Sequence, residues 1–248
     1  MKQLLLISFI FLTLPHSAFA EDKTEIRAAI PAGLAPPLLF EKSGNKLEGL
    51  IVDYINALAE AMGRKANFSI VTRYRLDGYL LKGQMDVLCY TSTLWASNAD
   101  KLDFSKTLFT KREIIVGPSP MPKKVSGLQG KTIGAMLQYV YPHLDPYFES
   151  GKIKREDSVS EQANLKKLLS GRIHYVVTDQ IFLDYFRLEN PTITKGREGL
   201  FLQDYPISCS ISRQGRVKRK DLNKAIDEIK SSGKLHALFK KYGSSYLE

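Results

Sequence analysis

The sequence predicts an α/β protein of two lobes, each a parallel sheet with helices on both faces. Three observations predict it. Short apolar runs alternate with segments whose apolar residues recur at helical spacing. Glycines at 63, 83, 171 and 233 close or separate those helical segments. The alternation completes a β-α-β-α-β series by residue 90 and starts again near residue 113, giving two units of similar size.

Each element can be placed in turn. Residues 26–30 read as a strand, and Pro31, Gly33, Pro36 and Pro37 then make a loop. Residues 50–62 carry apolar side chains at helical spacing up to Gly63. Residues 66–71 are a second strand, 76–81 a helix ended by Gly83, and 87–90 a third strand. After the restart, 113–116 and 131–136 are strands, a helix falls near 142–149, and 161–169 is a helix closed by Gly171. Residues 174–177 are a strand, 180–186 a helix and 207–211 a strand. Two amphipathic helices follow, 222–230 and 235–241. Ligands of open α/β sheets bind outside the carboxyl ends of the strands, so a ligand between two such lobes meets loops from both.

Residues 1–20 read as a cleavable signal peptide: Lys2, an apolar run over 4–14, and the small-x-small site Ala18-Phe19-Ala20. The run is too short for a transmembrane helix; a retained anchor is the alternative. Residue 21 is Glu, not the cysteine of a lipoprotein, and no later stretch is apolar enough to cross a membrane. Export to the periplasm is the expectation. Lys2 is the leader's one charged residue, so its removal takes the net charge from +10 to +9. A basic balance suits nucleic acid, a membrane surface or an anionic ligand. Export argues against nucleic acid, and the densest basic cluster, residues 213–220, reads as solvated surface before a helix. Cys89 and Cys209 lie in strand-like apolar contexts. Two arrangements are open to them: a disulfide, at home in an oxidising compartment, or two buried thiols packed as small hydrophobes.

A series of motifs resembles the family 3 solute-binding proteins of polar-amino-acid ABC transporters. Gly49-Leu50-Ile51-Val52-Asp53 is similar to the family's Gly-Phe-x-x-Asp helix start, and residues 80–87 to its Leu-x-x-Gly-x-x-Asp segment. Asp103-Phe104-Ser105 matches Asp-Phe-Ser, residues 128–134 match Leu-x-Gly-Lys-x-hydrophobic-Gly, and Leu169-Ser170-Gly171-Arg172 resembles the Leu-x-x-Gly-Arg turn. Each is weak alone; their order and spacing carry the resemblance. It implies a type II, periplasmic-binding-protein-like (Venus-flytrap) fold, each lobe a mainly parallel sheet flanked by helices, with two hinge crossings. Lobe 1 is expected from residues 21–111 with 204–248, and lobe 2 from residues 112–203.

The resemblance also locates a site, and the sequence departs from it. Amino-acid binders of the family hold the ligand α-carboxylate with an arginine five residues before the Asp-Phe-Ser aspartate, where a guanidinium fork suits a carboxylate. Asn98 stands there. The loop after Gly134, commonly Gly-Ser or Gly-Thr, reads Leu137-Gln138-Tyr139, and the aromatic usual near the end of strand two is replaced by Arg73-Tyr74-Arg75. Arg73 and Arg75 can supply the missing charge, or be solvated loop residues. Thr91 and Thr93 can offer hydroxyls to the cleft, or cap the next helix. Trp95, the sole tryptophan, can wall the ligand or pack beneath the loop. Asp179 falls where the family has a cleft aspartate and can bind a ligand amine, cap the next helix, or both. Gln138 and Tyr139 are candidates by position.

Other chemistries find little footing. There is no Gly-x-Ser-x-Gly elbow, no His-Glu-x-x-His helix and no Gly-rich phosphate loop, and His143, His174 and His236 are scattered. No catalysis, cofactor or metal is expected. The expected role is capture of a small polar or anionic, amino-acid-like metabolite by a monomer that feeds an inner-membrane ABC permease. Two alternatives stay open: a dehydratase-like enzyme using Asp179 with Arg73 or Arg75, and a sensor or accessory protein without a transporter.

Overall fold

Two sets of three parallel strands, joined by a long antiparallel pair, form one continuous sheet in the computed structural model, which describes residues 24–41, 46–191 and 197–245. The signal-peptide reading lies outside those residues. The chain runs through β1 (Glu25–Pro31), the antiparallel pair β2 (Phe40–Glu41) and β3 (Leu47–Glu48), α1 (Leu50–Ala61), β4 (Lys65–Val71), α2 (Arg73–Leu81), β5 (Val87–Thr91) and β6 (Asp103–Phe104). It then crosses along β7 (Phe109–Pro118) and continues through a 3-10 turn (Val125–Leu128), β8 (Thr132–Met136), α3 (Asp145–Glu149), β9 (Lys154–Ser158), α4 (Glu161–Leu169), β10 (Tyr175–Asp179) and α5 (Gln180–Glu189). It returns along β11 (Arg197–Ile211) and ends in α6 (Arg219–Ser231) and α7 (Lys234–Lys241).

The strand order is β4-β1-β5-β11-β7-β10-β8-β9, with β6 paired to β11. β4-β1-β5 and β10-β8-β9 are parallel, while β7 and β11 are antiparallel partners from Phe109–Ile207 to Pro118–Arg197. These two strands are the hinge crossings, and the two-lobed α/β fold expected from the sequence is the one observed. Period-two alternation divides the packing: Ile114 and Val116 join one core with Leu165, Leu168 and Phe182, whereas Ile115 joins another with Ile133, Tyr141 and Val177. In the first lobe, α1, α6 and α7 cover one sheet face around Tyr54, Ile226 and Phe239, and α2 covers the other through Leu76 and Leu80. Each fully buried leucine or isoleucine there contributes roughly 1.5–3 kcal/mol.

The motif aspartates hold this frame together. Buried Asp86 accepts from the Arg27 guanidinium at 2.7 Å and from the Arg27 and Arg216 backbone N–H groups at 2.8 and 2.9 Å. Asp53 ties α1 to the chain end, accepting from Lys241 Nζ at 2.6 Å and the Tyr242 hydroxyl at 2.8 Å. The Cys89 and Cys209 sulfurs are bonded at 2.08 Å, linking β5 to β11 where their register shifts between Ser208 and Ser210.

Several elements differ from the sequence reading. β7 and β11 are far longer than 113–116 and 207–211, because they pair with each other along segments that mix polar with apolar residues. β9 went unread: Lys-Arg-Glu-Asp-Ser has no apolar alternation, and the strand stands at the sheet edge beside β8. The helix near 142–149 shrinks to α3, with proline in its first turn, the helical position that tolerates it. α2 starts at Arg73, three residues before the expected start, with extended Thr72 at its N-cap. Among the described residues, no helix is long and apolar enough to cross a membrane.

The lobes touch. A Cβ on Gly33 (φ +86°) would sit 2.5 Å from the Val159 carbonyl oxygen, so glycine serves both the left-handed turn and the close approach of the second lobe. Phe40 meets Tyr185 edge-on at 5.8 Å, and Ile181 of α5 enters the first lobe's core.

Candidate ligand-binding site

A cavity of ≈ 110 Å³ lies where four segments converge. The first two turns of α2 bring Arg73 and Asp77, and the segment from β5 into the next loop brings Thr91, Trp95 and Ser97. β7 supplies Lys111 and Glu113, and the loop after β8 supplies Gln138, Tyr139 and Val140. The cavity sits at the carboxyl ends of β5 and β8, with a crossing strand for one wall.

Lys111 and Glu113 are two apart on β7 and so share the buried face of Phe109 and Ile115. Lys111 Nζ lies 3.4 Å from Glu113 Oε1, over the rings of Trp95 at 5.5 Å and Tyr205 at 5.9 Å. Burial disfavours the ammonium, but the carboxylates of Glu113 and Asp179 hold the Lys111 pKa above the ordinary lysine range. Burial raises the Glu113 carboxyl, and Lys111 opposes that shift without cancelling it. The Tyr205 hydroxyl donates to Glu113 Oε2 at 3.3 Å.

Arg73 from the first lobe stacks on Tyr139 from the second, 3.6 Å from guanidinium carbon to ring centroid. Burial raises the Tyr139 phenol, while the Arg73 charge pulls it down. Arg73 Nε and the Tyr139 hydroxyl are both buried, and neither has a hydrogen-bond partner of good geometry.

Behind this wall is a second buried cluster. The Tyr90 hydroxyl donates to Asp179 Oδ2 at 2.9 Å across the lobes, and Asp179 Oδ1 caps α5 by accepting from Phe182 N–H at 2.7 Å. Glu161 opens α4 fully enclosed and accepts from Thr178 Oγ1 at 2.9 Å. Burial and the nearby Asp179 charge push its carboxyl up to about 8.

Of the nine residues read from sequence, Arg73, Thr91, Trp95, Gln138 and Tyr139 line the cavity. Arg75, Thr93, Asn98 and Asp179 do not. Arg75 and Thr93 are exposed, and helix geometry points Arg75 away from the face that carries Arg73, Leu76 and Asp77 to the cavity. Asn98 donates its amide to Asp77 Oδ2 at 2.6 Å, so it reaches the site only through Asp77. Asp179 accepts from Tyr90 and caps α5, the helix-cap role the sequence allows it. Sequence reasoning missed Lys111, Glu113, Tyr90 and Asp77. One signal was present for two of them: Lys111 and Glu113 alternate with the apolar residues Phe109 and Ile115 on one strand face, where a charge must be buried. Among the described residues, no cluster of three or more His, Cys, Asp or Glu could hold a metal ion.

The profile of the bacterial extracellular solute-binding proteins, family 3, matches residues 26–245. The chain belongs to this family. Family 3 relatives include the probable amino-acid-binding protein YxeM of Bacillus subtilis (strain 168), 22% identical over 231 residues, covering 92% of this chain and 87% of that protein. The L-cystine-binding protein TcyJ of Escherichia coli (strain K12) is 25% identical over 230 residues, covering 89% and 85%. Among solved structures, an ancestral arginine-binding protein bound to arginine superposes with a TM-score of 0.73 at 22% identity, covering 88% of this chain and 98% of that one. That likeness establishes a shared fold.

Proposed function

We propose that this chain is a periplasmic solute-binding protein that closes two lobes, residues 21–111 with 204–248 and residues 112–203, around a small polar or anionic metabolite of amino-acid size. It releases that ligand unchanged to an inner-membrane ABC permease and works as a monomer. The observation that carries the reading is the cavity itself, lined by Arg73 and Lys111 and placed beside a crossing strand between the lobes. A ligand seated there touches α2, β7 and the loop after β8 together, so its binding energy favours the closed arrangement. The amino-acid-binding relatives support the ligand class. The ligand-facing set under this reading is Arg73, Thr91, Trp95, Lys111, Gln138 and Tyr139.

The test is a thermal-shift screen of the mature chain over amino acids, dicarboxylates, monocarboxylates and amines. A ligand at a hundred times its Kd stabilises by about 2.7 kcal/mol, a rise of roughly 5–10 °C for a chain of this size. Native mass spectrometry of the unchallenged protein reads any ligand retained on purification. No shift in the whole screen and no retained ligand would end the capture reading. Turnover of prephenate or arogenate would replace it with the enzymatic one.

A further inference from the structure

The cavity's unspent hydrogen-bonding capacity has a sign. Among the described residues, buried side-chain polar atoms without a partner fall on Arg73, Tyr139, Ser158 and Asn164, and only Arg73 and Tyr139 line the cavity. Arg73 Nε is a donor, and the Tyr139 hydroxyl can donate. Lys111 has three donors and its side chain makes one hydrogen bond, the 3.4 Å contact with Glu113. The wall's carboxylates are already engaged: Glu113 by Lys111 and Tyr205, and Asp77 by the Asn98 amide. Asp179 does not line the cavity, and each of its oxygens accepts one hydrogen bond from within the protein.

We infer that the cavity takes a small carboxylate that lacks an ammonium group on the neighbouring carbon, with its oxygens held by Arg73 Nε, the Lys111 ammonium and the Tyr139 hydroxyl. Donors left idle in a buried wall call for an acceptor, and a carboxylate is the acceptor that also balances cationic neighbours. An α-ammonium gains most from a carboxylate that faces the cavity without a donor, and Glu113 and Asp77, the two that line it, each hold at least one. The size fits: ≈ 110 Å³ is below the roughly 150 Å³ of a cavity that admits benzene, so the ligand has on the order of six heavy atoms. The Trp95 ring offers an apolar wall for the ligand's carbon end, and the Arg73–Tyr139 stack lines the cavity with one residue from each lobe. This inference rests on the capture reading and narrows it to a ligand class.

Calorimetric titration of the mature chain with lactate, pyruvate, propionate, alanine and lactamide tests it. At least one of the three carboxylates should bind. Alanine and lactamide should each bind about tenfold or more weaker than the best of the three carboxylates, because one adds an unpaired ammonium and the other removes the anionic oxygen. Tyr139→Phe keeps the ring under Arg73 and should weaken the best carboxylate by about tenfold. Lys111→Met should abolish binding; it also leaves Glu113 buried and unpaired, so Tyr139→Phe is the deciding variant if Lys111→Met does not fold. Alanine or lactamide equal to the best carboxylate, an unchanged Tyr139→Phe, or no binding by any of the three carboxylates would each overturn the inference. A different ligand from the broad screen would then leave the capture reading standing; an empty broad screen would end both.

Discussion

Two polar clusters where the lobes meet, one acidic and one basic, each with a tyrosine, are left in opposite states. In the acidic cluster, Asp179 uses one oxygen on Tyr90 and the other on the α5 cap, and Glu161 takes the Thr178 hydroxyl. In the basic cluster, Arg73 Nε and the Tyr139 hydroxyl are buried without partners, and Lys111 makes one long contact. A buried polar group left unpaired costs about 1–3 kcal/mol. The Tyr90–Asp179 bond therefore ties the lobes together, and the unpaired groups are where an incoming molecule gains most.

Three substitutions would break or sharpen that contrast. The largest effect belongs to Asp179→Ala, which strips the α5 cap and orphans the buried Tyr90 hydroxyl. It should cost about 2–4 kcal/mol of stability in urea unfolding. Lost ligand affinity at unchanged stability would instead move Asp179 into the binding set and erase the contrast.

Glu161→Gln comes next, and its sign depends on pH. The folded carboxyl titrates at about 8, above the roughly 4.3 of an unfolded glutamate. The folded state therefore binds more protons between those values, so this group's contribution is fully present below about pH 4 and is lost as pH rises through about 8. Glutamine cannot ionise and still accepts from Thr178. The variant should match the parent near pH 4 and exceed it by about 1 kcal/mol or more at pH 9, read as melting temperature across that range. Parallel profiles for the two proteins would show that Glu161 is ionised in the fold.

Arg75→Ala should do least. The side chain is exposed, with its guanidinium carbon 5.4 Å from the Tyr74 ring centroid. Stability should stay within about 0.5 kcal/mol and ligand affinity should not change. A tenfold loss of affinity would place Arg75 in the cleft.

Most of the frame was legible in the linear chain. The α1, α4 and α7 segments and the cores of β1, β4, β5, β8 and β10 follow from period-3.6 and period-2 apolar patterns, because those patterns are what a sheet-and-helix core buries. The motif aspartates were legible as family marks, although Asp53 and Asp86 turn out to brace the frame, not the site. A third of the cavity lining was also readable: Arg73, Thr91, Trp95, Gln138 and Tyr139 stand at or just beyond the ends of elements, where open α/β sheets place their ligands.

What the sequence by itself determined is therefore which segments are strands and helices and which loops meet at the cleft, since both rest on local periodicity and local breaks. Only the tertiary structure decided which polar groups are already spent. Asp179 and Asn98 carry the right chemistry for a ligand, but Tyr90 lies 89 positions from the first and Asp77 lies 21 from the second, and each engages its partner first. Lys111 and Glu113 became visible as cavity walls once β7 was paired along its whole length with β11. Hydrogen-bond saturation is a property of neighbours in space, and no reading of neighbours in sequence contains it.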